Sequence, residues 1–168
     1  MFVNLLKFIS LVALTCVAGC ASTPIESAPV EEPKVVAVTD ETGLPYELGE
    51  LNAQKLELGD CGLFLFASRP EPRFVFFGEA GKGTAKIVLN GSETTLIRSD
   101  VSGDVLDLHY TEQVYTAPIE GVELRVTINE AESVEGGSQI SKASIRMSSP
   151  EGWKMVIPVG GATSCRNS

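Results

Sequence analysis

The sequence predicts an all-β protein: a single antiparallel β-sandwich or small β-barrel that follows an export signal and a flexible tether. Three observations predict it. From Cys61 onward, apolar residues recur with a period of two in short runs bounded by glycine and proline. Asn90-Gly91 joins two of these runs, and that dipeptide is the strongest short-range hairpin signal. No gap between runs holds a helical pattern of about ten or more residues, so a βαβ arrangement is excluded.

Leu63-Phe64-Leu65-Phe66-Ala67 and Arg73-Phe74-Val75-Phe76-Phe77 form the first two strands, bounded by Ser68-Arg69-Pro70-Glu71-Pro72 and by Gly78. Ala85–Leu89 runs into Asn90-Gly91, and Thr94–Arg98 is the natural return strand. Val122–Ile128 alternates most cleanly, with Val122, Leu124, Val126 and Ile128 on one face. Ala143, Ile145 and Met147 repeat the pattern, as do Met155, Ile157 and Val159 after Trp153. Ser148-Ser149-Pro150-Glu151-Gly152 has the composition of a turn between these last two strands. Pro158 cannot donate to a ladder and predicts an edge position for the final strand. Seven to nine such strands suit a sandwich or barrel over residues 61–168.

Upstream, the composition changes. Residues 39–60 form a linker in which Glu47-Leu48-Gly49-Glu50-Leu51-Asn52 is the best candidate for a short helical turn. Residues 20–38 are rich in Pro, Glu, Ser and Ala without an apolar period, as in an extended tether. Residues 1–19 carry Lys7, then the apolar run Phe8–Leu14, then small residues, which is the layout of a cleaved export signal. The run is too short for a spanning helix, which needs about 20 apolar residues.

Val17-Ala18-Gly19-Cys20 closes that run and resembles the lipobox of bacterial lipoprotein signals. The resemblance implies cleavage before Cys20, a diacylglycerol thioether on its sulfur and an acylated amino group. Several acyl chains on one residue give stable anchoring. Ala21 stands where enterobacterial lipoproteins retained in the inner membrane have aspartate, so the resemblance favours a periplasm-facing outer-membrane anchor.

The full chain carries 13 basic and 22 acidic residues, a net charge of −9. Nine of the acids fall in residues 21–60 beside only Lys34 and Lys55, so the region ahead of the β domain carries most of the acidity. No basic stripe exists to neutralise phosphates, which excludes a nucleic-acid partner. Of the four cysteines, Cys16 leaves with the signal and Cys20 takes lipid. Cys61 and Cys165 remain, and in an oxidising compartment they are expected to pair. A metal site would need more ligands than these two cysteines and the lone His109. No metal or other cofactor is expected.

Several segments invite a chemical reading. Gly78–Thr84 superficially matches a phosphate loop, but Gly83 follows Lys82 where Ser or Thr is required, and a strand follows instead of a helix. It is expected to be a turn. In Leu106-Asp107-Leu108-His109-Tyr110, alternation puts Asp107 and His109 together on an exposed face, from which a Ser–His–Asp set with Ser99 or Ser102 can be drawn. No nucleophile signature accompanies it, so an exposed strand pair is expected, and a His109-dependent hydrolase ranks last. Glu31-Glu32 and Glu130/Glu132 are expected to lie in tether or loop, as solvated surface.

Ser99-Asp100-Val101-Ser102-Gly103-Asp104 reads as a polar loop between a hairpin and Tyr110. With the early Cys61 and the hairpin around Asn90-Gly91, it resembles the membrane-bound inhibitors of c-type lysozyme, small lipidated β-barrels with a disulfide. The resemblance covers about 60 residues and implies a loop that enters the lysozyme cleft, with hydroxyl contacts from Ser99 and Ser102. Asp100 and Asp104 would attract a basic lysozyme. The chain departs from that family at Ile119-Glu120-Gly121-Val122, where tryptophan and lysine are missing, and in added strands from Ala131 to Cys165.

The expectation from sequence is therefore a lipid-anchored, non-catalytic binding protein of envelope assembly or adaptor type. Lysozyme inhibition is the alternative, and Ser99, Asp100, Ser102, Gly103 and Asp104 are the candidate binding loop. Its expected partners are the membrane, through Cys20, and an envelope protein or lysozyme.

Overall fold

A computed structural model of the chain describes residues 46–69 and 71–166. The expected signal at 1–19, Cys20, the expected tether at 20–38 and the first part of the expected 39–60 linker lie outside the described residues. The architecture is all-β. Strands β2 (Cys61–Ala67), β3 (Arg73–Glu79), β4 (Thr84–Leu89), β5 (Ser92–Leu106), β6 (His109–Thr116), β7 (Glu123–Val134), β8 (Gly137–Ser148) and β9 (Lys154–Cys165) follow one another up and down. Each pairs antiparallel with its neighbour in sequence, and β9 returns to β2, so the eight close into a barrel. A short extra strand, β1 (Leu48–Gly49), adds to the end of β4.

Closure answers the sandwich-or-barrel alternative and overturns the edge position of the last strand. β9 lies between β2 and β8. Pro158 is tolerated because the β2 ladder ends one residue away, at Ala67 opposite Val159. The missing donor sits where β9 has a strand partner on the β8 side only.

The core follows the two-residue period. Leu63, Leu65, Phe76, Ile87, Leu96, Tyr115, Leu124, Val126, Ile145 and Met147 point into the barrel and are fully buried. Phe76 and Tyr115 meet edge to face with ring centroids 5.4 Å apart. The continuous apolar runs in β2 and β3 have a separate cause: their outer faces are partly covered too. The segment after β1 runs along the outside of this wall, with the Leu51 amide donating to the Phe74 carbonyl at 2.7 Å. Leu51 and Phe77 are buried there.

This covering segment contains no helical turn. Asn90 and Glu47 exchange two hydrogen bonds, Asn90 N–H to the Glu47 carbonyl at 2.9 Å and Glu47 N–H to Asn90 Oδ1 at 2.8 Å. They place Leu48 opposite Leu89 and Gly49 opposite Val88. Ladder bonds and the burial of Leu48 outweigh the weak helical preference of six residues that include a glycine. Asn90-Gly91 itself is the expected tight turn, with φ of 50° and 79°.

Cys61 and Cys165 form a disulfide. They are direct partners in the β2–β9 ladder, at the seam where the last strand meets the first strand of the barrel.

Candidate functional site

The polar groups of the interior gather at the disulfide end of the barrel, where the β5–β6 hairpin bends over the opening. β5 stays paired with β4 only to Ile97, then continues to Leu106 paired with β6 alone. Ser99–Asp104 therefore forms the bulged half of a strand instead of a loop, with register shifts at Arg98/Asp100 and Ser102/Val105. The physical reason is that β6 supplies a partner across the whole segment. Ser99 Oγ donates to the Val114 carbonyl at 3.3 Å, and Ser102 Oγ to the Glu112 carboxylate at 2.9 Å. The Asp104 amide donates to Thr111 Oγ1 at 2.9 Å. Gly103 has φ +80°, and a Cβ there would clash with Thr111 Oγ1, so the bulge favours glycine. Ser99, Asp100, Ser102, Gly103 and Asp104 are all exposed.

The expected strand Leu106–Tyr110 is broken by a turn. Asp107 and Leu108 both have positive φ, 47° and 65°, and form the two-residue connection between β5 and β6. This reverses the expected exposure: Leu108 is 60% exposed and His109 fully buried. Alternation gives no sign of this turn, because neither position carries the usual Gly or Asn. The Asp107 carboxylate accepts hydrogen bonds from the Ser138 hydroxyl at 2.6 Å and from the Thr163 hydroxyl. Those bonds hold its carboxyl below the usual carboxylate range. They also pin the hairpin to β8 and β9. Asp107 and His109 thus serve different partners and do not form the exposed pair that alternation predicts.

His109 Nε2 lies 3.2 Å from the Cys61 carbonyl oxygen, so this nitrogen carries the proton and Nδ1 is the acceptor. Burial pushes the imidazole pKa down to about 4, so the ring is neutral at pH 7. Beside it, Gln113 Oε1 accepts from Tyr115 Oη at 2.8 Å and from Arg98 Nη1 at 3.4 Å. Arg98 Nη2 reaches the Ala80 carbonyl at 3.3 Å. Burial also raises the Tyr115 pKa, to about 12. His109 Nδ1 and Gln113 Nε2 are buried without a hydrogen-bond partner. Sequence reasoning missed Arg98, Gln113 and Tyr115 as interior polar groups. The period of two that puts Tyr115 inside does the same for Gln113 and was the available signal.

Gly78–Thr84 is the end of β3, a turn and the start of β4, as expected from its glycines. Its Gly81 amide donates to Asp60 Oδ1 at 2.9 Å, so a carboxylate of the chain occupies the donor a phosphate would seek. Lys82 is taken by Glu79 at 2.8 Å and Glu57 at 3.2 Å. Among the described residues, no three His, Cys, Asp or Glu side chains gather as a metal-holding group.

No protein-family model, curated protein or solved structure matches this chain. The chemistry of the surface must therefore be taken from its own residues. On the outer wall, Phe64, Phe66 and Phe74 with Leu51, Ala53 and Gln54 line an open apolar groove of about 370 Å³. Phe66 is 44% exposed there. The outward positions of β2 and β3 being phenylalanine was its signature in the sequence. Glu130 and Glu132 are exposed, as expected, but stand in the far half of β7 instead of a loop, because β8 extends the ladder beside them.

Proposed function

We propose that the protein is a lipid-anchored, non-catalytic binding protein of the bacterial envelope. Cys20 holds it in the outer membrane, residues 20–38 act as an acidic leash, and the barrel faces the periplasm. The observation that carries this reading is Val17-Ala18-Gly19-Cys20 at the close of an apolar export run. The Cys61–Cys165 disulfide supports it, because such bonds persist in oxidising compartments. A binding role without chemistry is supported by His109, whose imidazole is buried and engaged with a backbone carbonyl.

Mass spectrometry of the mature N-terminus tests the anchor. An acylated Cys20 in the membrane fraction, lost in Cys20→Ser, is expected. A soluble chain with its original methionine refutes it. Hydrolysis of a generic ester that disappears in His109→Ala would overturn the non-catalytic reading.

Lysozyme inhibition is kept as a second reading because Ser99–Asp104 projects exposed serines and carboxylates from an antiparallel barrel. Inhibition in a lysozyme turbidity assay, lost in Ser102→Ala with the fold intact, would establish it. No inhibition at micromolar protein removes it.

A further inference from the structure

We propose that the free flank of β7, Ile128–Val134, receives an extended segment of a partner protein as an added strand, and that this segment carries alternating basic residues. The proposal rests on the binding-protein reading and names the chemistry of its partner.

The opening on this flank follows from the path of the hairpin. β6 pairs with β7 only from Glu112–Thr127 to Thr116–Glu123. Beyond Thr127, β6 leaves with β5 across the barrel end, held there by Asp107 on Ser138 and Thr163 and by His109 on Cys61. β7 does not follow, and stays paired with β8 as far as Val134 opposite Gly137. Its far half consequently has a strand on one side only. Asn129–Val134 are all exposed, and among the described residues no backbone hydrogen bond outside the β7–β8 ladder reaches them. An unpaired row of N–H and C=O groups is a template for strand addition.

Charge selects the occupant. Glu130 is paired with Lys142 at 3.3 Å, but Glu132 and Glu135 on this ribbon have no ion-pair partner among the described residues. Asp104 and Glu112, on the hairpin that diverges from β7, are likewise exposed and outside every ion pair found among those residues. A second copy of the chain would add the same carboxylates to this edge, which like-charge repulsion disfavours. A basic strand meets no such repulsion. Ala131 and Ser133 are small, and they leave room for apolar residues at the alternate positions of the incoming segment.

The probe is a short peptide alternating lysine and valine, long enough to span Ile128–Val134, with a glutamate–valine peptide as control. Each is added to the full chain and followed by backbone amide exchange. The lysine peptide is expected to slow exchange at Asn129–Val134, and the control is not. Glu132→Lys, at an exposed position, should weaken the lysine peptide about tenfold and admit the glutamate peptide, since it turns cross-strand attraction into repulsion. Protection at the Phe66 groove or at Ser99–Asp104 overturns the proposed edge while leaving a binding protein. No binding of either peptide, or binding indifferent to residue 132, also overturns it. The fate of Cys20 decides the anchored reading separately.

Discussion

His109 donates through Nε2 to the carbonyl oxygen of Cys61, 3.2 Å away, so the hairpin that crosses the barrel end is tied to the disulfide-bearing strand. A neutral, buried imidazole thus forms part of the closure of the fold, and its protonation acts against it.

Stability should fall with acidity through this residue. The folded pKa is about 4 against an ordinary value of 6.5, so between those values the unfolded chain binds the proton and the folded chain does not. The His109 contribution is intact above about pH 6.5 and declines as pH drops toward 4, by about 3 kcal/mol over the window. Urea unfolding across this range should show the slope in the native protein and a flatter one in His109→Gln. An equal slope in both would refute the assignment.

Asp107→Ala removes the acceptor for two hydroxyls and leaves Ser138 and Thr163 facing each other at the barrel end. A loss of about 2 kcal/mol is expected, the usual cost for hydrogen bonds to a charged group. Because the folded carboxyl titrates below its ordinary value, this contribution is present at neutral pH and disappears only as pH falls through the folded pKa. The difference between variant and native protein in thermal melts should therefore be largest at neutral pH and shrink as the solution is acidified, leaving the small, pH-independent cost of alanine at φ 47°.

Leu108 carries φ +65° while 60% exposed, so it accepts backbone strain for little burial. Leu108→Gly should stabilise the barrel by about 0.5–1 kcal/mol, the left-handed penalty less the entropy glycine adds to the unfolded chain. A higher denaturation midpoint with an unchanged m-value is the expected result.

The disulfide closes a sequence separation of 104 residues across the barrel seam. Replacing both cysteines with alanine should cost about 3–5 kcal/mol on the chain-entropy scale. Equilibrium unfolding of the double variant and of the reduced native protein should agree. A double variant as stable as the native protein would show that the ladder alone holds the seam.

Much of this molecule was legible in single residues. Alternation along Glu123–Ile128 and Ala143–Met147 placed the inward side chains, Asn90-Gly91 placed a turn, and subtraction left Cys61 to pair with Cys165. The failures share one cause. Within Glu47–Asn52, Leu48–Gly49 became a short strand because Asn90 and Leu89, some 40 residues away, offered it a ladder. Asp107-Leu108 became a turn because Ser138, Thr163 and the Cys61 carbonyl hold the hairpin across the barrel end.

What local sequence determined by itself was the class of structure, the direction in which most strand residues point and the cysteines that join, since each depends on neighbours a few residues apart or on simple elimination. Tertiary structure alone decided that the sheet closes on itself, that His109 turns inward, and that β7 is left with an unpaired flank. Those outcomes depend on which distant backbone groups and side chains meet once the first and last strands of the barrel come together.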